Sequence, residues 1–290
     1  MLTRLFKAFG PIAPLFAGAL LSGCDNMTMR INDEEGVPLS ELDQNASVPT
    51  ELVLAGPDDV VITDGSKLAI AVSGDPKAVE ALRFTLADGT LGILREKGSW
   101  SDKGKATVRV TMPSPEKLTL AGSGSIEAAS LAGASEVTIA GSGTLRAAKI
   151  SSGKLDLTIA GSGSVKAAGS AETLDLTLAG SGDADMAGLK VGSAEVTIAG
   201  SGRAEFASDG KVAANIMGSG EVTVIGRADC TISAMGSGKL NCSTGTARSA
   251  AAPANGRAAP PAPPAPEAPN PSPAPDAPAA PKPPEDHSGH

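Results

Sequence analysis

The 290-residue chain contains no tyrosine, one tryptophan and five phenylalanines. Phe6, Phe9 and Phe16 fall in an N-terminal leader, so the mature chain keeps Phe84, Trp100 and Phe206. Stacking platforms for bases or sugars need more aromatic surface than this. The only histidines, His287 and His290, close a proline-rich terminus, which excludes imidazole bases, Ser-His-Asp chemistry and histidine metal sites from the folded region. Positive charge is also scarce. The formal net charge is −8, and such a surface repels nucleic acid. Glycine and proline, 35 and 22 residues, are instead abundant, and together make up a fifth of the chain.

The N-terminus reads as an export signal. Arg4 and Lys7 precede an apolar stretch from Pro11 to Leu21 that is too short for a permanent membrane span and suits a secretory signal peptide over residues 1–23. Leu21-Ser22-Gly23-Cys24 resembles the lipobox of bacterial lipoproteins. That resemblance implies cleavage before Cys24 and its acylation, palmitate included, with membrane lipid as the first partner; several acyl chains anchor stably where one is marginal. The localisation expected is the bacterial cell envelope, at the periplasmic or outer-membrane face.

Residues 24–47 read as an acidic tether, with Asp33-Glu34-Glu35 followed by Gly36 and Pro38. From Val48 to Met112 short alternating apolar runs separated by turn residues predict an antiparallel or mixed β segment, with hairpin turns at Asp64-Gly65 and Asp88-Gly89. Residues 244–290 carry 14 prolines after position 250 and read as a disordered Ala/Pro-rich tail.

Between these ends lies a repeat. Gly-Ser-Gly recurs at Gly122, Gly141, Gly161, Gly180, Gly200, Gly218 and Gly236, at spacings of 18 to 20 residues. Aliphatic pairs such as Leu118/Leu120 and Leu157/Ile159 stand four and two residues before a corner. Others, Ile126/Ala128 and Val165/Ala167 among them, stand four and six after it. Both sets have period two and lie on inward faces. The expected fold is an all-β parallel β-helix of about 19-residue coils, with glycine corners in conformations costly for other residues.

The order of Val48-Pro49-Thr50-Glu51-Leu52, Ile70 to Asp75, Val108 to Pro113 and then stacked Leu-Thr-Leu-Ala-Gly-Ser-Gly units resembles the head GIN domain of auto-transporter adhesins. The resemblance covers residues 48–243. It implies an envelope-exposed β-helical domain and carries over no catalytic residue.

Function on such a fold is written in outward columns. Three residues before the corners stand Thr119, Thr138, Thr158, Thr177 and Thr197, a hydroxyl ladder that suits exposed strands. Five residues before them stand Lys117, Glu136, Asp156, Asp175 and Glu195. Four stacked carboxylates repel, so Glu136, Asp156, Asp175 and Glu195 are a candidate ladder for a cation such as Ca²⁺ or for another ligand; the plainer reading is a solvated acidic face. Cys230 and Cys242 lie six residues either side of Gly236, both at inward parity. They are read as a buried disulfide stapling the last coil, the alternative being two unpaired thiols.

The function expected is a non-enzymatic envelope lipoprotein, an adhesin-like binding or structural module whose partner is an envelope glycan or protein, with no cofactor required. The alternative is a polysaccharide-active lyase or hydrolase using Asp183 and Asp185, with Arg203 on the next coil. Coil spacings that vary by only two residues leave no long loops to build its cleft.

Overall fold

The computed structural model describes residues 30–31, 34–45, 47–96 and 104–243. The leader, Cys24, Trp100 and the Ala/Pro tail lie outside the described residues.

The chain opens with β1 (Arg30–Ile31), β2 (Glu34–Glu35) and a 3₁₀ turn at Leu39–Glu41. It continues through β3 (Glu51–Gly56), β4 (Asp59–Asp64), β5 (Ala69–Gly74), α1 (Pro76–Ala81), β6 (Leu82–Ala87), β7 (Thr90–Arg95) and β8 (Ala106–Met112). The repeats comprise β9 (Lys117–Gly122), β10 (Ser125–Ala128), β11 (Leu131–Gly141), β12 (Thr144–Gly161), β13 (Ser164–Gly180), β14 (Asp183–Gly200) and β15 (Arg203–Ser208). They end with β16 (Lys211–Gly218), β17 (Glu221–Ile225), β18 (Asp229–Gly236) and β19 (Lys239–Ser243).

The repeats form a parallel β-solenoid with about seven turns of about 19 residues. One leg of each coil climbs to the Gly-Ser-Gly corner and the next leaves it, so Gly122, Gly141, Gly161, Gly180 and Gly200 pair in direct register. A short third side closes the longer coils, with Ile150 to Ser152 on Gly169 to Ala171. Each corner is tied to the coil below: Ser142 N donates to Gly122 O at 3.0 Å and Thr144 N to Gly124 O at 3.1 Å. Gly161 shows why the first corner residue lacks a side chain. Its φ is +122°, and a Cβ there would meet Gly141 O at 2.5 Å.

The inward columns predicted from period two are the core. Leu118, Leu120, Val137, Ile139, Leu157 and Ile159 are buried before the corners, as are Ile126, Leu145, Val165, Met186 and Phe206 after them. Stacked at strand spacing, these aliphatics bury nearly all their apolar surface, which dominates the stabilisation of so narrow a fold.

The segment before the repeats departs from expectation in four ways. Gly56-Pro57-Asp58 is itself a corner, because Gly56 registers with Gly122 and Asp59 with Ser125. The coil built by β3 and β4 is then flanked on its other side by β7 and β8, which come later in the chain. Asp64-Gly65 does not close a hairpin: β5 pairs antiparallel with β8 instead of β4. Asp88-Gly89 does turn β6 onto β7, with both residues at positive φ, +51° and +75°. A helix, α1, follows Asp75, whose side chain caps it by accepting from Lys77 N at 2.9 Å, with Pro76 in its first turn.

Part of the stretch 24–47, which the sequence reading gave to a tether, docks on the domain. Val37 exchanges backbone hydrogen bonds with Phe84, Gln44 Oε1 accepts from Ile70 N, and Leu39 and Leu42 pack on the core. Residues 37–44 therefore help to close one end of the solenoid with β5, α1 and β6.

Candidate functional site

The outward ladders lie where the spacing puts them. Thr119, Thr138, Thr158, Thr177 and Thr197 are neighbours in successive coils, continued by Asn215 and Ser233. Glu136, Asp156, Asp175 and Glu195 form an adjoining column, with Lys117 below Glu136 and Ala213 above Glu195.

The acidic column carries its own counter-charge. Lys117 Nζ lies 3.2 Å from Glu136, and Lys154, two residues before Asp156, places its ammonium 2.7 Å from that carboxylate. The Lys154 pKa is raised above the ordinary lysine value, first by its hydrogen bond to Asp156 and further by the charges of Asp156, Asp175 and Glu136, against a smaller opposing effect of desolvation. One lysine thus relieves repulsion among three carboxylates. Asp175 and Glu195 make no ion pair among the described residues. Also among the described residues, no group of three or more His, Cys, Asp or Glu side chains is placed to hold a metal ion.

Beside the column the surface dips into a shallow groove of about 480 Å³, lined by Lys154, Thr173, Asp175, Glu195, Lys211 and Asp229 among others. Lys154 and Lys211 stand in one column with the hydroxyls of Thr173 and Ser193 between them, beside Asp175 and Glu195 and with Asp229 beyond Lys211. Such a groove can meet a polyhydroxylated or zwitterionic group with several weak polar contacts; the hydroxyls of Thr173 and Thr231 donate to the backbone carbonyls of Gly153 and Val212. The acidic column alone does not announce the groove: Lys154, Lys211 and Asp229 each stand seven residues before a corner, in the neighbouring outward column with Thr173 and Ser193.

Asp183 and Asp185 are exposed on one open strand, as expected. Each faces a cation of a neighbouring coil: Asp183 lies 3.4 Å from Arg203, and Asp185 lies 2.9 Å from Lys166. Acid–base cleavage of a glycosidic bond needs two carboxyls set across a substrate; these two stand two residues apart on the same face of β14. Asp185 belongs to the mixed column Glu127, Arg146, Lys166, Asp185 and Glu205.

Cys230 and Cys242 form the disulfide, with Cα atoms 6.7 Å apart. Both are at inward parity, above Val212 and Val224. They are less buried than expected: Cys230 is half-buried and Cys242 exposed, because no further coil stacks on β18 and β19 among the described residues. Cys24 lies outside the described residues.

Two residues escaped the sequence reading altogether. Asp58 takes the place of the second corner glycine and is 1% exposed, and Arg95, also 1% exposed, binds it through two nitrogens. Asp58 Oδ1 further accepts from Ala106 N at 2.8 Å, while Arg95 Nη2 donates to Gly104 O. Only Asp in a glycine's register at residue 58 could have announced this pair, and that register becomes visible only once Gly56 is recognised as a corner.

A stack of flat, outward-facing ladders over an aliphatic core, without an enclosed cleft among the described residues, defines a β-solenoid surface-presenting module. The chain belongs to the family described as "Putative auto-transporter adhesin, head GIN domain", whose model matches residues 49–228. Solved structures share the fold. A putative adhesin from Bacteroides fragilis superposes with a TM-score of 0.62 at 19% identity, covering 68% of this chain and 93% of that one. A putative lipid binding protein from Parabacteroides distasonis does so at 0.53 and 23% identity, over 68% and 93%. A putative adhesin from the same species gives 0.54 and 21%, over 68% and 94%. No curated protein matches the sequence.

Proposed function

We propose that the protein is a lipid-anchored module of the bacterial cell envelope that binds an envelope glycan or protein without chemical turnover. The observation that carries the reading is the rigid acidic ladder, with Asp175 and Glu195 left unpaired in a groove that Lys154 and Lys211 also line. Membership of an adhesin-named family and the lipobox-like Leu21-Ser22-Gly23-Cys24 support it. Acylated Cys24 would hold the chain at the membrane, and the solenoid would present its ladder as a fixed polar array.

The experiment has two arms. Fractionation of cells carrying the native chain or Cys24→Ala tests the anchor: the native chain sediments with membranes, and the variant is released. A binding screen of the chain against envelope glycans and peptidoglycan, reading both retention and product, tests the ladder. Saturable retention lost in an Asp175→Asn, Glu195→Gln variant is the expected result. A cleaved product overturns the non-enzymatic reading and directs attention to Asp183 and Asp185.

A further inference from the structure

The two ends of the solenoid differ. At the first end β5 and β6 run antiparallel along β8 and β7, and Val37 pairs with Phe84 beyond them. At the other end β18 and β19 each have a parallel neighbour on one side, β16 and β17, and none on the other among the described residues. The apolar column four residues before the corner is buried from Leu118 to Ala214, yet its last member, Ile232, is 48% exposed. Outside it, the position just before the corner is Ala in five coils, Ala121 to Ala199, and becomes Met217 and Met235, 52% and 75% exposed. Of the four exposed large apolar residues among those described, three lie in these last two coils.

A paired row of free backbone donors and acceptors with an apolar interior is a template for more β-structure. The chain that follows is poorly suited to complete it. Residues 244–290 contain no Val, Ile, Leu, Met, Phe, Trp or Tyr. Their prolines cannot donate to a ladder. The first end presents antiparallel β5 and β6, screened in part by Val37 on Phe84 and by Gln44 on Ile70 N, and does not match the open end, which favours an isologous contact between two open ends.

We propose that the open end is the interface of a two-fold dimer with a second copy of this chain. Inward parity is symmetric about the last corner: Ile232 stands four residues before Gly236 and Leu240 four after it, and Cys230 and Cys242 stand six before and six after. A two-fold axis through that corner therefore lays β18 antiparallel on the partner's β19. Ile232 then meets the partner's Leu240, and Thr231 meets the partner's Asn241. Met235, beside the corner, lies close to the axis, where the two copies bring their methionines together. The disulfide holds the two edge strands of each coil at the separation that the other copy must match.

The test is sedimentation equilibrium of the full-length chain in density-matched detergent. A reversible dimer is expected, with Ile232→Arg raising its Kd by about tenfold or more. Circular dichroism and an intact Cys230–Cys242 bond report that the variant folds. Deleting residues 244–290 should leave the dimer in place. Mixing Thr231→Cys chains with Asn241→Cys chains should give a cross-link with a short bismaleimide, which neither gives alone. A monomeric full-length chain overturns the proposal, and one that dimerises only after deletion of 244–290 assigns the edge to its own tail. Open-ended filaments, a dimer indifferent to Ile232→Arg, or absence of the mixed cross-link each overturn it as well.

Discussion

Arg95 and Asp58 meet in a two-pronged buried ion pair, with Arg95 Nε donating to Asp58 Oδ2 at 2.7 Å and Nη2 to Oδ1 at 2.6 Å. The hydrogen bond to Asp58 is the main influence holding the guanidinium pKa above its ordinary value, against desolvation. The pair fixes the corner at Gly56 and ties it to Gly104 and Ala106, where β8 begins. Removing one partner strands a buried charge, so Arg95→Met should cost about 3–5 kcal/mol, whereas replacing both residues with apolar ones of matched volume should cost much less. Chemical denaturation of the two variants checks this.

Gly161 at a corner and Gly153 away from one differ sharply in what a side chain would meet. Gly161→Ala places a methyl group against Gly141 O at a backbone φ of +122°, and should destabilise by more than about 1 kcal/mol. Gly153 has no atom within 4 Å of its would-be Cβ and no positive φ, so Gly153→Ala should be neutral or stabilise by about 0.4–1 kcal/mol. Urea midpoints of the two variants read the contrast.

Lys154 is exposed, so its pairing with Asp156 contributes only about 0.2–1 kcal/mol at low salt. Its pKa is raised, and the contribution is complete below the ordinary lysine value of 10.5 and fades as pH climbs through the folded value. In Lys154→Ala the carboxylate column loses its shared counter-charge. Stability should then rise with added salt more steeply than in the native chain, as measured by unfolding at several ionic strengths.

Asp209 works in the opposite pH direction. The backbone N–H of Arg227 donates to its carboxylate, and Lys190 Nζ lies 3.0 Å from it, holding its pKa below the ordinary 3.8. This contribution is present above 3.8 and lost as pH falls through the lower folded value. Carbon-detected titration by NMR should place the Asp209 midpoint below that of exposed aspartates, and Lys190→Met should move it up.

The disulfide closes a loop with a sequence separation of 12 and should contribute up to about 3 kcal/mol. Its loss in Cys230→Ala, Cys242→Ala should raise hydrogen exchange in β18 and β19 first. Uniform loss of protection across the solenoid would contradict a local staple.

How much of this was legible depended on periodicity. Where the chain repeats, one glycine register fixed the inward pairs, the threonine and acidic columns, and the neighbours Lys166 and Asp185. Where it does not repeat, local signals competed. Asp64-Gly65 has the chemistry of a hairpin turn, yet β4 had already found parallel partners in β8 and β10, and β5 took the remaining edge of β8. Asp75-Pro76 was a readable helix start overshadowed by the strands around it. Leu39 and Leu42 sit in an acidic stretch whose charge suggested a tether, but two leucines and Val37 sufficed to dock it. Lys154 pairs with Asp156 only two residues on, yet the column they share shows only once coils are stacked; Asp58 owes its role to Arg95, distant in sequence, which no local pattern records.

The coil built by β3 and β4 is made before either of the coils that flank it. A chain emerging from a ribosome or an export channel therefore produces residues 51–64 with both strand edges bare. One side waits for residues 90–112 and the other for 117–128. Assembly cannot zip up in the order of synthesis; its first complete layer needs some eighty residues to be present at once. A truncation ending before residue 128 should consequently be held unfolded and cleared by proteases, whereas one that drops whole coils from the far end should shorten the molecule and leave the rest standing.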